Sequence, residues 1–215
     1  MVTMSSELDF LADLTDTGLV AIIRCPDAGH ALAIGRTLLE AGVRMLEVTL
    51  TTPDAVETIA TLAGEVADGG SGAWVGAGTV ISEDDVHTAV AAGARFVVTP
   101  GLCPAVAAAS RAEVPSLAGA WTASEVITAH DQGATAVKIF PASSGGPGHL
   151  KALRDPLPHI PLVAVGGVGL AEIEAYRKVG AIGFGVGGPL IGDAASGGSL
   201  TELADRARAF VEAAG

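Results

Sequence analysis

Eight short apolar runs recur along this chain at intervals of roughly 20–25 residues, and no other feature restricts its possible folds so tightly. They are LVAIIRC (19–25), MLEVTL (45–50), AWVGAGTV (73–80), RFVVTPG (95–101), PSLAGA (115–120), AVKIFP (136–141), PLVAVGG (161–167) and IGFGVGG (182–188). Each is continuous rather than alternating, the pattern of parallel strands covered on both faces. Segments of helical period lie between them. Alternation of strand and helix through eight repeats predicts an α/β chain closed into a single (β/α)8 TIM barrel over about residues 18–195. An additional N-terminal helix at about 6–16 would cap one end, and a C-terminal helix is expected at about 199–214. A doubly wound open sheet is the structural alternative. No linker or low-complexity segment marks a boundary, so residues 1–215 are expected to form one domain.

The helices carry their own punctuation. Thr52-Pro53-Asp54 reads as a cap, a proline at the first helical position and an acid in the first turn. Ser82 precedes Glu83, Asp84 and Asp85, placing carboxylates where the helix dipole favours them. Thr122 and Glu125 have capping-box spacing. Stops are expected at Ala41-Gly42, Ala92-Gly93, Gln132-Gly133 and Val179-Gly180.

Charge and composition narrow the partners. The formal charge is −12, and no basic cluster is interleaved with aromatics, which argues against nucleic acid and anionic membrane. No apolar run approaches the ~20 residues of a membrane-spanning helix. The N-terminal stretch MVTMSSELDFLADLTDTG has no basic segment before an apolar one and does not read as a signal peptide. Cys25 and Cys103 have neither metal-clip nor disulfide-framework spacing, which fits a cytoplasmic chain with reduced thiols.

Lys138 stands out. It lies between Val137 and Ile139 inside the sixth run, while the only other lysines, Lys151 and Lys178, fall on predicted helices. Such a side chain can snorkel to the barrel mouth or pair with an acid. It can also be an amine whose pKa burial depresses, leaving a free nucleophile for a carbonyl carbon and hence a Schiff base. Glu47 interrupts the second run in the same way. It could neutralise a cation across the barrel, or move protons beside an imine. Arg24 closes the first run, as a solvent-facing charge or an anion clamp. Glycines follow the seventh and eighth runs: Gly166, Gly167 and Gly169, then Gly187 and Gly188. They suit tight turns, and equally suit backbone amides that approach phosphate or another anion.

From about residue 18 to 190, the motifs LEVTL, VGAGTV, VTPGL, VKIFPAS and VGGV, in this order, resemble the class I aldolases that cleave 2-keto-3-deoxy-6-phosphogluconate or 4-hydroxy-2-oxoglutarate, together with their phosphogalactonate relatives. The resemblance implies a homotrimer that releases pyruvate from a small 2-keto acid without a metal, and no cofactor is expected. It implies that Lys138 forms the imine and Glu47 shuttles protons, through water. Thr79 would hold the pyruvyl carboxylate, Pro100 and Phe140 would shape the pocket, and Gly166 and Gly167 would donate to a distal phosphate. Gly187 and Gly188 occupy the corresponding loop after the eighth run. Two positions depart from the family pattern: Thr51 stands where many members carry a carboxylate-gripping arginine, and Gly188 replaces a serine of the phosphate loop. Arg24 matches an arginine of the phosphogalactonate relatives and could take over anion binding. His149 and Ser143 are further candidates near the mouth. Competing readings are a 4-hydroxy-2-oxoglutarate aldolase, a non-covalent phosphate-binding transferase or isomerase similar to thiamine phosphate synthase, and a metabolite-binding barrel without activity.

Overall fold

All eight apolar runs contribute a strand: β1 (Leu19–Ile23), β2 (Met45–Thr49), β3 (Trp74–Gly78), β4 (Val97–Val98), β5 (Ser116–Ala120), β6 (Ala136–Ile139), β7 (Leu162–Val165) and β8 (Gly183–Val186). The computed structural model describes residues 3–215; Met1 and Val2, at the head of the N-terminal stretch read above, lie outside the described residues. The strands pair in parallel and in chain order, and β8 returns to β1 to close the barrel. They are shorter than the runs because the last residues of several runs leave the sheet to build its C-terminal mouth. Arg24, Thr79, Pro100 and Phe140 all lie just beyond their strands.

Helices alternate with the strands: α1 (Thr3–Thr17) before β1, then α2 (Ala28–Glu40), α3 (Ala55–Gly69), α4 (Glu83–Ala91), α5 (Pro104–Arg111), α6 (Ala123–Asp131), α7 (Ala142–Arg154) and α8 (Leu170–Lys178). After β8 come a four-residue helix α9 (Gly188–Ile191), a 3-10 turn at Gly192–Ser196 and α10 (Leu200–Ala214). The predicted capping box forms at Thr122–Glu125, and Ser82, which opens its helix as expected, forms a second box with Asp85. The four predicted stops also hold, with Gly42, Gly93, Gly133 and Gly180 all at positive φ. Thr52 is different. Helix α3 starts at Ala55 with Asp54 before it, and Thr52 does not cap it. Thr52 is instead buried, accepting from the Cys25 amide at 3.3 Å and sharing a hydroxyl contact with Thr49 at 3.2 Å. This cross-strand bond competes with local capping and ties the end of β2 to the segment after Arg24.

Side-chain parity divides the interior into layers. Outward residues such as Leu46, Val48, Val137 and Ile139 pack under the helices. Inward residues Met45, Trp74, Phe96, Leu117 and Val163 form a separate core inside the barrel, joined by Phe10 and Leu14 of α1. Phe10 meets Trp74 edge-on and Phe96 at a tilt, each with centroids 5.2 Å apart. Asp13 accepts from the Trp74 indole at 2.8 Å, so α1 plugs the N-terminal end of the barrel. Burying a ring of this size contributes about 2–3 kcal/mol. With the bottom sealed by aromatics, the inward positions at the other end are free to be polar.

Candidate active site

Parity carries two charged groups into that open end. On β6, Ala136 and Lys138 point inward; on β2, Met45 and Glu47 do. The two strands stand four apart in the eight-strand ring, so Lys138 and Glu47 approach from opposite walls. Both are almost fully buried, with Glu47 3% and Lys138 6% exposed. Burial pushes the Glu47 carboxyl above its ordinary pKa, opposed by Lys138 and then Arg24. Burial likewise pushes the Lys138 amine below its ordinary value, opposed by Glu47 and reinforced by Arg24. In both cases desolvation outweighs the attraction between the two groups, so each is driven toward its neutral form. The Lys138 Nζ lies 4.8 Å from the centre of the Phe140 ring.

A cavity of about 250 Å3 opens above them, lined by Lys138, Glu47, Arg24, Thr79, Pro100, Phe140 and the glycines 166, 167, 187 and 188 among the site candidates. Arg24 reaches across the end of β2 to donate to the Thr79 hydroxyl at 3.3 Å. Thr79 adopts φ 58, a left-handed conformation costly for a β-branched residue. That turn swings its hydroxyl toward Arg24 at the cavity wall. Pro100 is held by Thr99, whose hydroxyl donates to the Gly101 carbonyl at 2.8 Å and accepts from the Gly119 amide at 3.0 Å. Gly166 and Gly167 take φ 94 and 73, turning the chain inward after β7.

Other candidates fall elsewhere. Thr51 is exposed, is not part of the cavity lining and contacts the Thr49 hydroxyl at 3.1 Å. Ser143 sits beneath Gly167, where a Cβ would meet its side chain at 2.6 Å. His149 stacks on Trp121 at 4.2 Å and contacts the Trp121 carbonyl at 2.8 Å, outside the cavity lining. Sequence reasoning missed Ile22 and Val165, inward-facing apolar lining, and the residues just beyond the second glycine pair, Pro189, Ile191, Gly192 and Ala195. Strand parity could have found the first two; nothing local pointed to the others.

A larger hollow of about 720 Å3 opens on the outside of the barrel, lined largely by alanine and glycine of α3 and α4. Its one titratable side chain, Arg95, is already stacked 3.7 Å over Trp74 and bonded to the Ala73 carbonyl, so it offers no chemistry. Among the described residues, no group of three or more His, Cys, Asp or Glu is placed to hold a metal ion, and no helix is long and apolar enough to cross a membrane.

The KHG/KDPG aldolase of Escherichia coli K12 is 34% identical to this chain over 205 residues, covering 94% of each. The 2-dehydro-3-deoxy-6-phosphogalactonate aldolase of the same organism is 33% identical over 201 residues, covering 93% of this chain and 95% of its own. The fold superposes with a TM-score of 0.81, at 27% identity over 93% of this chain and 96% of the other, on KDPG aldolase from Legionella pneumophila with pyruvate captured at low pH as a covalent carbinolamine intermediate. A family model for KDPG and KHG aldolase matches residues 11–200, and with relatives this similar over nearly the whole length the chain belongs to the KDPG and KHG aldolase family.

Proposed function

We propose that the chain is a class I aldolase that cleaves a 2-keto-3-deoxy sugar acid, 6-phosphorylated, to pyruvate and an aldehyde such as glyceraldehyde 3-phosphate. The observation that carries this reading is the Lys138 amine, buried and driven toward neutrality in the same cavity as Glu47. A neutral amine can attack the C2 ketone; the neutral Glu47 carboxyl gives its proton to the departing hydroxyl, so that loss of water leaves a protonated imine on Lys138 and a carboxylate on Glu47. Glu47, as carboxylate, takes the proton of the C4 hydroxyl through a water as the C3–C4 bond breaks. The electron pair of that bond passes into the imine to give an enamine, and the aldehyde leaves. Glu47 returns its proton to C3 of the enamine, and water hydrolyses the resulting imine to pyruvate and free Lys138. Arg24 and Thr79 hold the carboxylate, which accounts for the loss of an arginine at Thr51. Pro100 and Phe140 bound the reacting carbons, and backbone groups of Gly166, Gly167, Gly187 and Gly188 receive the distal phosphate.

The similarity to gluconate- and galactonate-type relatives, 34% and 33%, does not separate their substrates, and the first of these relatives also carries the 4-hydroxy-2-oxoglutarate name. A panel of both phosphorylated epimers, their unphosphorylated forms and 4-hydroxy-2-oxoglutarate ranks them directly. The reading places the enzyme in the cytoplasm as a homotrimer, supported by the family resemblance and by two free thiols; sedimentation velocity tests the assembly. The decisive experiment is incubation with pyruvate and borohydride followed by intact mass. A stable pyruvyl adduct is expected on wild type and absent from Lys138→Ala and Lys138→Arg, since a guanidinium stays protonated. No mass gain on wild type overturns the imine mechanism.

A further inference from the structure

The wall of the cavity beyond β8 is formed by Gly187, Gly188, Pro189, Ile191 and Gly192. Its α-helical part is α9, four residues long, which is too short to hold its own shape. The last carbonyls of such a helix have no partner within it. Arg206, midway along α10, supplies one. Its Nε donates to the Leu190 carbonyl at 2.9 Å and its Nη2 to the Ile191 carbonyl at 2.9 Å. The planar fork of a guanidinium suits two successive carbonyls in a way an ammonium does not. Asp193 and Glu202 lie 3.7 and 3.9 Å from the same group and hold it in orientation. The fit is mutual. Gly192 takes φ 58, and a Cβ there would stand 2.7 Å from the Arg206 Nη2.

Arg206 itself does not line the cavity, so whatever it does for substrate it does through this backbone. We infer that Arg206 is a positioning residue: it holds the Gly187–Gly192 wall at the distance that receives the end of the substrate remote from the imine. The pyruvyl end is held by Lys138, Glu47, Arg24 and Thr79 on other strands. Disturbing the wall therefore weakens capture of the full sugar acid while leaving pyruvate condensation intact. This inference rests on the imine reading of Lys138.

The test uses the full chain with Arg206→Gln, Arg206→Met and Arg206→Lys, the last keeping the charge without the planar fork. Substrates are 2-keto-3-deoxy-6-phosphogluconate and its galactonate epimer, using whichever wild type cleaves faster. For Arg206→Gln and Arg206→Met, KM is expected to rise about tenfold, the loss of one charge-assisted anchor, with kcat within about threefold. Arg206→Lys should fall between wild type and Arg206→Gln. Borohydride-trapped pyruvyl adduct should match wild type in all three. An unchanged KM in the folded variants, or adduct lost in step with KM, overturns the role of Arg206. A wild type that forms no adduct refutes the imine reading instead, so the two failures are distinct. Should Arg206→Gln not fold, Arg206→Met and Arg206→Lys carry the same comparison.

Discussion

Replacing Gly78 with alanine should displace the Glu47 carboxylate without changing its chemistry. Gly78 is the inward-facing residue at the end of β3, beside the buried Glu47 side chain of β2. A Cβ at Gly78 would stand 2.5 Å from Glu47 Cδ and 2.6 Å from Cγ, and would overlap Oε1 outright. Non-bonded carbons settle at about 3.5–4.0 Å, so the carboxylate must withdraw by about 1 Å. A displacement of about 1 Å in a catalytic arrangement costs about 100-fold in rate. Retro-aldol turnover of Gly78→Ala, followed by coupling released pyruvate to lactate dehydrogenase, is therefore expected to drop about 100-fold. The pyruvyl adduct trapped on Lys138 should remain. The neighbouring Gly76→Ala separates misplacement from general damage, because a Cβ there meets the Phe96 ring at 2.5 Å, in the core below. Its expected loss is about 1–3 kcal/mol of stability from overpacking, read by urea denaturation. Turnover of folded Gly78→Ala within about threefold of wild type would refute the argument that Glu47 acts from this position.

Two further outcomes follow from the same geometry. Pyruvate imine formation requires neutral Lys138, so its rate rises with pH through the pKa of that amine. Glu47 raises this pKa and Arg24 lowers it, so the rising limb should move to lower pH in Glu47→Gln and to higher pH in Arg24→Met, measured as initial rates of borohydride-trapped adduct; limbs that shift together, or not at all, remove the electrostatic account. Phe10→Ala should cost about 3–5 kcal/mol by chemical denaturation, since the fully buried ring plugs the barrel against Trp74 and Phe96; a loss below about 1 kcal/mol would deny α1 that role.

The barrel was legible because each strand is buried on both faces and so appears as an unbroken apolar run, with capping residues at the starts and glycines at the ends of the intervening helices. Lys138 and Glu47 were legible for the same reason: a charge inside such a run has nowhere cheap to go. What the sequence left hidden depends on contacts between distant segments. Thr52 has the local chemistry of a helix cap, but the Cys25 amide, 27 residues away, takes its hydroxyl. Arg206 lies on an ordinary amphipathic helix, and nothing near it indicates that its guanidinium reaches the carbonyls of Leu190 and Ile191. His149 drew notice as a mouth residue, yet Trp121 claims its ring face and a ring nitrogen.

The charge inventory of the cavity accounts for the departure at Thr51. Its titratable lining is Arg24, Lys138 and Glu47. Were Lys138 and Glu47 both ionised, each would bear a desolvation cost that their mutual attraction does not offset, since burial is the largest influence on both. Transfer of the proton from Lys138 to Glu47 would relieve both costs and would leave a net charge of one, on Arg24. Being exposed at the rim and bonded to the Thr79 hydroxyl, Arg24 keeps that charge without paying for burial. On the proposed reading, a 2-oxo acid would bring one carboxylate to match that cation and one ketone to meet the neutral amine. A second arginine at position 51 would bring another cation to the mouth and would lower the Lys138 pKa further. Thr51→Arg should therefore shift the rising limb of imine formation to lower pH, read by the same trapping assay across pH. A shift in the opposite direction, in a folded variant, would mean that the Arg24 charge does not govern the electrostatics of this pocket.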